Sequence, residues 1–174
     1  MPLCACVALY NGIVKQAGTV EFIAVAQSDP LAQPLLDELA REYTARYGDL
    51  SGTEYADMRA YPAQEFDPPN GVLIVGVSDG IPVAGGAFRR HDAHTAELKR
   101  IWTSSAHRGR GYGKLVVAEL ERIARERGYR KVCLTTGPRQ PEAVGLYLST
   151  GYRPLYDPSL PAEEIGAHVF EKVL

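Results

Sequence analysis

The residues best equipped for chemistry lie between Glu97 and Gly113, in the stretch ELKRIWTSSAHRGRGYG. Its first part alternates as a strand, with Leu98, Arg100 and Trp102 on one side and Glu97, Lys99, Ile101 and Thr103 on the other. After a turn through Thr103 to His107 comes Arg108-Gly109-Arg110-Gly111-Tyr112-Gly113, immediately before a helical pattern. A glycine-rich turn between a strand and a helix aims free backbone N–H groups and the positive helix end at one point, which suits an anion such as a diphosphate. Spacing narrows the choice. A Walker loop would need Ser or Thr after Gly113-Lys114, where Leu115 stands, and glycine at the position of Arg108. The dinucleotide fingerprint G-x-G-x-x-G is also unmet, because Gly109, Gly111 and Gly113 alternate and lie past the middle of the chain. A nucleotide-binding protein using this turn would bind ATP or NAD.

What the six residues fit is R-x-x-G-x-G. With the strand ELKRIW before it, the segment resembles the acetyl-CoA motif of the GNAT superfamily of N-acetyltransferases. A second match follows in A-x-x-L-Y-x-x-x-G-Y, Ala143 to Tyr152, similar to a later motif of that family. The resemblance covers the chain from about residue 20 to its end. It implies an α/β fold of one domain, residues 19–174, with a mixed central sheet and helices on both faces, preceded by an extension, 1–18, of unknown role. It implies an acyltransferase that moves an acetyl group from acetyl-CoA directly to a primary amine of a small molecule, peptide or protein. The rival of another class is an inactive CoA-binding module acting as sensor or partner subunit.

By resemblance, the backbone of Ile101, Trp102 and Thr103 pairs with the pantetheine amides. Arg108, Gly109, Arg110, Gly111, Tyr112, Gly113 and Lys114 hold the diphosphate, mainly through amides. Gln140 stands where the family often has Asn. Glu97, thirteen residues before Arg110, has a spacing similar to that of the family's general-base glutamate; an ion-pair partner of Lys99 or Arg100 is the other reading. Tyr147 matches the tyrosine that faces the departing sulfur, against a plain packing role. With phenol near pKa ~10 and thiol near ~8.5, such a tyrosine donates a hydrogen bond to the developing thiolate more readily than it yields its proton.

The elements that must position these groups are readable in outline. Val20 to Val25 alternates as a strand, and Ser28-Asp29-Pro30 opens a helix with Asp29 as N-cap and Leu35, Leu36, Leu39, Ala40 and Tyr43 as its buried stripe. Residues 48–70 form a turn-rich acidic loop, a candidate substrate-side lid or a solvated connection. Val72 to Val77 and Ile81 to Arg89 are strands joined by Ser78-Asp79-Gly80, and Gly85-Gly86 points to a bulge. A helix follows Gly113 with Val116, Val117, Leu120, Ile123 and Ala124 inward and Glu121 paired to Arg125 on its exposed side; Gly128 ends it. Tyr129 to Thr136 is a strand, Pro141 opens a short helix closed by Gly151, and strands from Tyr152 and over Ala167 to Val173 complete the order.

Composition agrees with one domain of 174 residues carrying a net charge of −2. That charge disfavours a general nucleic-acid binder. Residues 97–131 hold ten basic and four acidic side chains inside an otherwise acidic chain, as a phosphate-rich ligand would ask. Cys4, Cys6 and Cys133 are too few and odd for a disulfide framework, so a reducing, cytoplasmic setting is expected. The apolar run Leu3 to Tyr10 lacks the flanks of a signal peptide, and no stretch approaches a membrane span. No metal is expected: His91, Asp92 and His94 form a strand-joining tip without further ligands nearby. The acceptor is undefined by sequence, and a homodimer is compatible with the resemblance.

Overall fold

The computed structural model describes residues 19–48 and 62–174. The expectations for residues 1–18 and for most of the 48–70 loop therefore lie outside the described residues. Among the described residues seven strands make one mixed sheet: β1 (Glu21–Ala24), β2 (Val72–Ser78), β3 (Ile81–Arg90), β4 (Thr95–Thr103), β5 (Lys131–Thr136), β6 (Arg153–Pro154) and β7 (His168–Val173). Their spatial order is β1-β2-β3-β4-β5-β7-β6. Short turns join β2, β3 and β4 as an antiparallel meander, β1 pairs antiparallel with β2 after the long connection that carries α1 (Gln33–Tyr47), and β4 and β5 run parallel. A parallel pair needs a crossover, and helix α2 (Tyr112–Glu126) supplies it.

Helices cover both faces, as an α/β sheet with two apolar sides requires. On one face α1 (Gln33–Tyr47) buries Leu35, Leu36 and Leu39 against Leu73, Ala87 and Trp102. On the other, α2 and α3 (Pro141–Ser149) place Val116, Val117, Leu120 and Tyr147 against Ile74, Phe88, Leu98, Val132 and Phe170. Each fully buried aliphatic side chain contributes roughly 1.5–3 kcal/mol. Asp29 does cap the chain at Pro30, its Oδ1 accepting from the Leu31 N–H at 2.8 Å, but the first turn is a 3-10 turn, Pro30–Ala32, before α1 begins. A further short helix, α4 (Ala162–Ile165), precedes β7.

Two expectations are corrected by packing. The simple alternation in β4 fails because two residues, Arg100 and Ile101, oppose the single Gly86 of β3. This bulge moves Leu98 and Ile101 to the α2 side while Arg100 and Trp102 face α1. Arg100 adopts φ 59° there, an uncommon conformation for a bulky residue. Its guanidinium is anchored on Gln27 at 2.7 Å and 4.3 Å from the Phe66 ring centroid.

Nor is Glu121 on the exposed side of α2. It is 5% exposed, and Lys172 Nζ of β7 donates to both its oxygens at 2.9 Å and to the Thr150 carbonyl at 2.8 Å, while Arg125 stands off at 3.6 Å. Removing one partner of such a pair strands the other's charge. Lys172→Met is thus expected to destabilise the fold by about 3 kcal/mol in urea unfolding; a loss below about 1 kcal/mol would show that solvent or Arg125 satisfies Glu121 by itself.

Candidate active site

The site begins where β4 and β5 part. Their pairing runs only through Thr95↔Lys131, Ala96↔Val132 and Glu97↔Cys133. Beyond it β4 stays with β3 as far as Ala84↔Thr103, and β5 stays with β7 as far as Thr136↔His168. The β5-facing edge of residues 98–103 is thereby left without a strand, and an unpaired edge accepts an extended partner. The β4 bulge adds the twist that opens this wedge. Gly86 suits it: a Cβ there would lie 2.7 Å from Ile101 Cδ1 and 2.9 Å from Val116 Cγ1, so a larger residue would push those side chains out of their packing between β4 and α2.

The glycine turn lies at the open end of the wedge. Arg108 is extended, and Gly109 and Gly111 have φ of 75° and 83°, values that glycine adopts without strain. Gly111 is the N-cap of α2 and no side chain caps the helix; the Lys114 N–H turns back to the Gly111 carbonyl at 3.1 Å, and the N–H groups of Tyr112 and Gly113 remain available to a ligand. Gly109, Gly111, Tyr112 and Gly113 line one cleft of about 260 Å³, with Ile101, Trp102 and Thr103 of β4. Arg108 lines it too, its guanidinium held by Glu42 of α1 at 2.6 Å. Arg110 and Lys114 are exposed and outside the lining. Trp102 packs on α1 with its indole N–H donating to Glu38 at 2.8 Å; the same carboxylate accepts from the Ser105 N–H at 3.0 Å and so ties α1 to the start of the turn.

The facing wall is α3, through Gln140, Ala143, Leu146 and Tyr147. Gln140 Oε1 accepts from Thr136 Oγ1 at 2.8 Å and from the Gly137 N–H at 3.0 Å, so it fixes the β5–α3 turn while lining the cleft. Tyr147 is 6% exposed, its ring held by Tyr152 at 5.5 Å and Phe170 at 5.7 Å between centroids. Its hydroxyl has no hydrogen-bond partner among the described residues. Burial, and then the neighbouring Tyr43, push its phenol well above the ordinary range, so it is a neutral donor at any working pH.

A parting between two parallel strands, a glycine-capped helix at its mouth and a buried tyrosine on its wall form one constellation. A sequence profile described as "Acetyltransferase (GNAT) family" matches residues 32–152, which spans these parts. The chain belongs to the GNAT acetyltransferase family. It is 30% identical over 130 residues to an uncharacterized N-acetyltransferase of Schizosaccharomyces pombe, covering 71% of this chain and 79% of that protein. It is 38% identical over 84 residues to N-acetyltransferase 8 of Rattus norvegicus, a match that covers 48% of this chain but only 36% of the rat protein. The solved PaiA N-acetyltransferase of Thermoplasma acidophilum, in complex with coenzyme A, superposes with a TM-score of 0.68 at 14% identity, over 90% of this chain and 99% of that one. At that identity the likeness is one of fold.

Within this GNAT fold Glu97 sits at the last β4–β5 pair, 9% exposed and outside the lining of the cleft that gathers Tyr147 and the glycine turn. Burial works to raise its carboxyl pKa, but the hydrogen bond from Arg89 at 2.7 Å and the charge of Lys99 at 3.2 Å outweigh it and hold the group below the usual carboxylate range. The stabilisation from a carboxyl so depressed is complete above its unfolded pKa of about 4.3 and is lost as the pH falls through its folded value. Beside it in register, the Cys133 thiol is pushed up to about 11, first by burial and then by the Glu97 charge. It is protonated at neutral pH and is a poor nucleophile there. Sequence reasoning missed Glu38 and Glu42, since their helical spacing marks only an exposed face. The partners that tie them to the site, Trp102 and Arg108, lie more than sixty residues away.

Proposed function

We propose that the protein is an acetyl-CoA-dependent N-acetyltransferase, with residues 19–174 as its catalytic domain, transferring acetyl directly to a primary amine. The observation that carries this is the gathering of the free β4 edge, the uncapped α2 N-terminus and Tyr147 around one cleft. In that cleft the α2 amides and Arg108 would receive the diphosphate, and the backbone of Ile101, Trp102 and Thr103 the pantetheine. Arg108 would exchange Glu42 for phosphate. Tyr147 donates to the sulfur as the C–S bond breaks; its high pKa favours a hydrogen bond that strengthens with thiolate charge. The protonated Cys133 favours attack by the amine itself, without an acyl-cysteine.

Glu97 is assigned to the acceptor's proton. Being ionised throughout the working range, it orders a water that takes the proton and passes it to solvent. An amine of pKa about 10.4 is neutral in only about one molecule per few thousand at pH 7, so this step limits the rate there. Glu97→Gln is expected to be slow at neutral pH and to recover as rising pH supplies neutral amine. A kcat/KM profile parallel to wild type from about pH 6 to 10 would reassign Glu97 to its ion pairs with Arg89 and Lys99.

The test of the whole proposal is calorimetric titration with CoA, followed by thiol release from acetyl-CoA across a panel of primary amines. Binding and amine-dependent thiol release are expected. CoA binding with no product on any amine would overturn it.

A further inference from the structure

We infer that the amine acceptor carries a flat apolar or aromatic body, seated in a second cleft between α1 and the end of β5. The inference rests on the N-acetyltransferase proposal and names its substrate class. This cleft has a volume of about 320 Å³. From α1 come Tyr43 and Tyr47, one helical turn apart, their rings stacked with centroids 6.3 Å apart at 27°. The other wall is Thr135 to Pro138 with Ala167. Gly137 closes tightly on Tyr47, since a Cβ there would fall 2.0 Å from the Tyr47 hydroxyl. None of the described residues lining the cleft is charged.

Chemistry and position both select the occupant. Among the described lining residues a polyamine or a lysine-rich peptide finds no carboxylate for its extra ammonium groups, and Arg139, 5.9 Å from the Tyr47 ring centroid, adds like charge, so each ammonium held there is unfavourable. A single amine on an aromatic body leaves only its reacting nitrogen to be accommodated, and the tyrosine pair offers its ring a stacking surface. Apolar sites of roughly 150 Å³ hold benzene, so this volume suits a ring with a short aliphatic arm.

Gln140 lines both clefts, and Tyr43 is hydrogen-bonded to it. Tyr43 also lies near enough to Tyr147 to influence its ionisation. The amine nitrogen at this seam therefore faces the thioester while its body stays in the second cleft. An apolar wall disfavours the ammonium form, which frees the lone pair. The nitrogen–carbon bond forms, the carbon–sulfur bond breaks, the amine's proton leaves to solvent, and the thiolate is protonated to give amide and thiol.

Acetyl transfer to 2-phenylethylamine and tryptamine is compared with transfer to spermidine and a lysine peptide, using wild type, Tyr47→Phe and Tyr47→Ala, with CoA affinity measured for each. The aryl amines are expected to exceed the others by about tenfold in kcat/KM. Tyr47→Ala should raise their KM roughly tenfold at similar kcat, and Tyr47→Phe should keep it near wild type, with CoA affinity alike in all three. Preference for spermidine or the peptide, or an unchanged aryl-amine KM in a folded Tyr47→Ala, overturns the inference and leaves the N-acetyltransferase proposal standing. CoA binding with no amine acetylated overturns that proposal and the inference with it. Should Tyr47→Ala fail to fold, the wild-type ranking decides.

Discussion

Gly113→Asp is expected to weaken CoA binding by at least about a hundredfold while the protein stays folded. The residue lies in the first turn of α2 and lines the cleft, where a Cβ would stand 3.3 Å from Leu146 Cδ2, a contact that a small shift of a leucine tip relieves. The added carboxylate would face the diphosphate. Two like charges about 4 Å apart at an effective dielectric of 20 repel by about 4 kcal/mol, more than enough for a hundredfold. The same carboxylate in the first turn of a helix is favourable by about 0.3–1 kcal/mol, so stability should hold. Gly113→Ala separates charge from bulk, since it adds the same Cβ and should bind CoA within a few-fold of wild type. Calorimetric titration of both variants decides it: unchanged affinity in a folded Gly113→Asp protein would remove the glycine turn from the cofactor site.

The second large effect is on turnover. Tyr147→Phe should lower kcat roughly 10- to 100-fold, the value of one hydrogen bond to a developing charge, and change KM for acetyl-CoA about twofold or less. Its ring contacts with Tyr152 and Phe170 do not involve the hydroxyl. That hydroxyl forms no hydrogen bond among the described residues, so the melting temperature should move little. This pattern separates a group that acts in the transition state from one that supports the core. Full activity in Tyr147→Phe would place the residue among the packing side chains and leave the thiolate to solvent.

Residues 1–18 and most of the 48–70 loop lie outside what the structure describes, whereas the segments that build the site were legible in different degrees. The strands at Val72 and Ile81 declared themselves as runs either side of the Ser78-Asp79-Gly80 turn, and the helix after Gly113 by its 3.6-residue periodicity, because both are local properties of the chain. The glycine turn did too: left-handed φ at Gly109 and Gly111 is a demand each residue meets alone, and R-x-x-G-x-G with A-x-x-L-Y-x-x-x-G-Y sufficed to point to the family that the profile match shows. Tertiary structure decided what depends on partners distant in sequence. Arg100 and Trp102 share a face that excludes Leu98 because Gly86, on another strand, leaves room for a bulge. Glu121 is buried because Lys172, 51 residues on, arrives from β7, which itself inserts between β5 and β6. The cleft exists because β4 and β5 stop pairing at Glu97 and Cys133, and the tyrosine pair borders a second cleft because the turn after β5 closes on Tyr47. Periodicity fixes which side of an element is apolar, but a pairing register and the place where it ends are set by the free energy of the whole sheet.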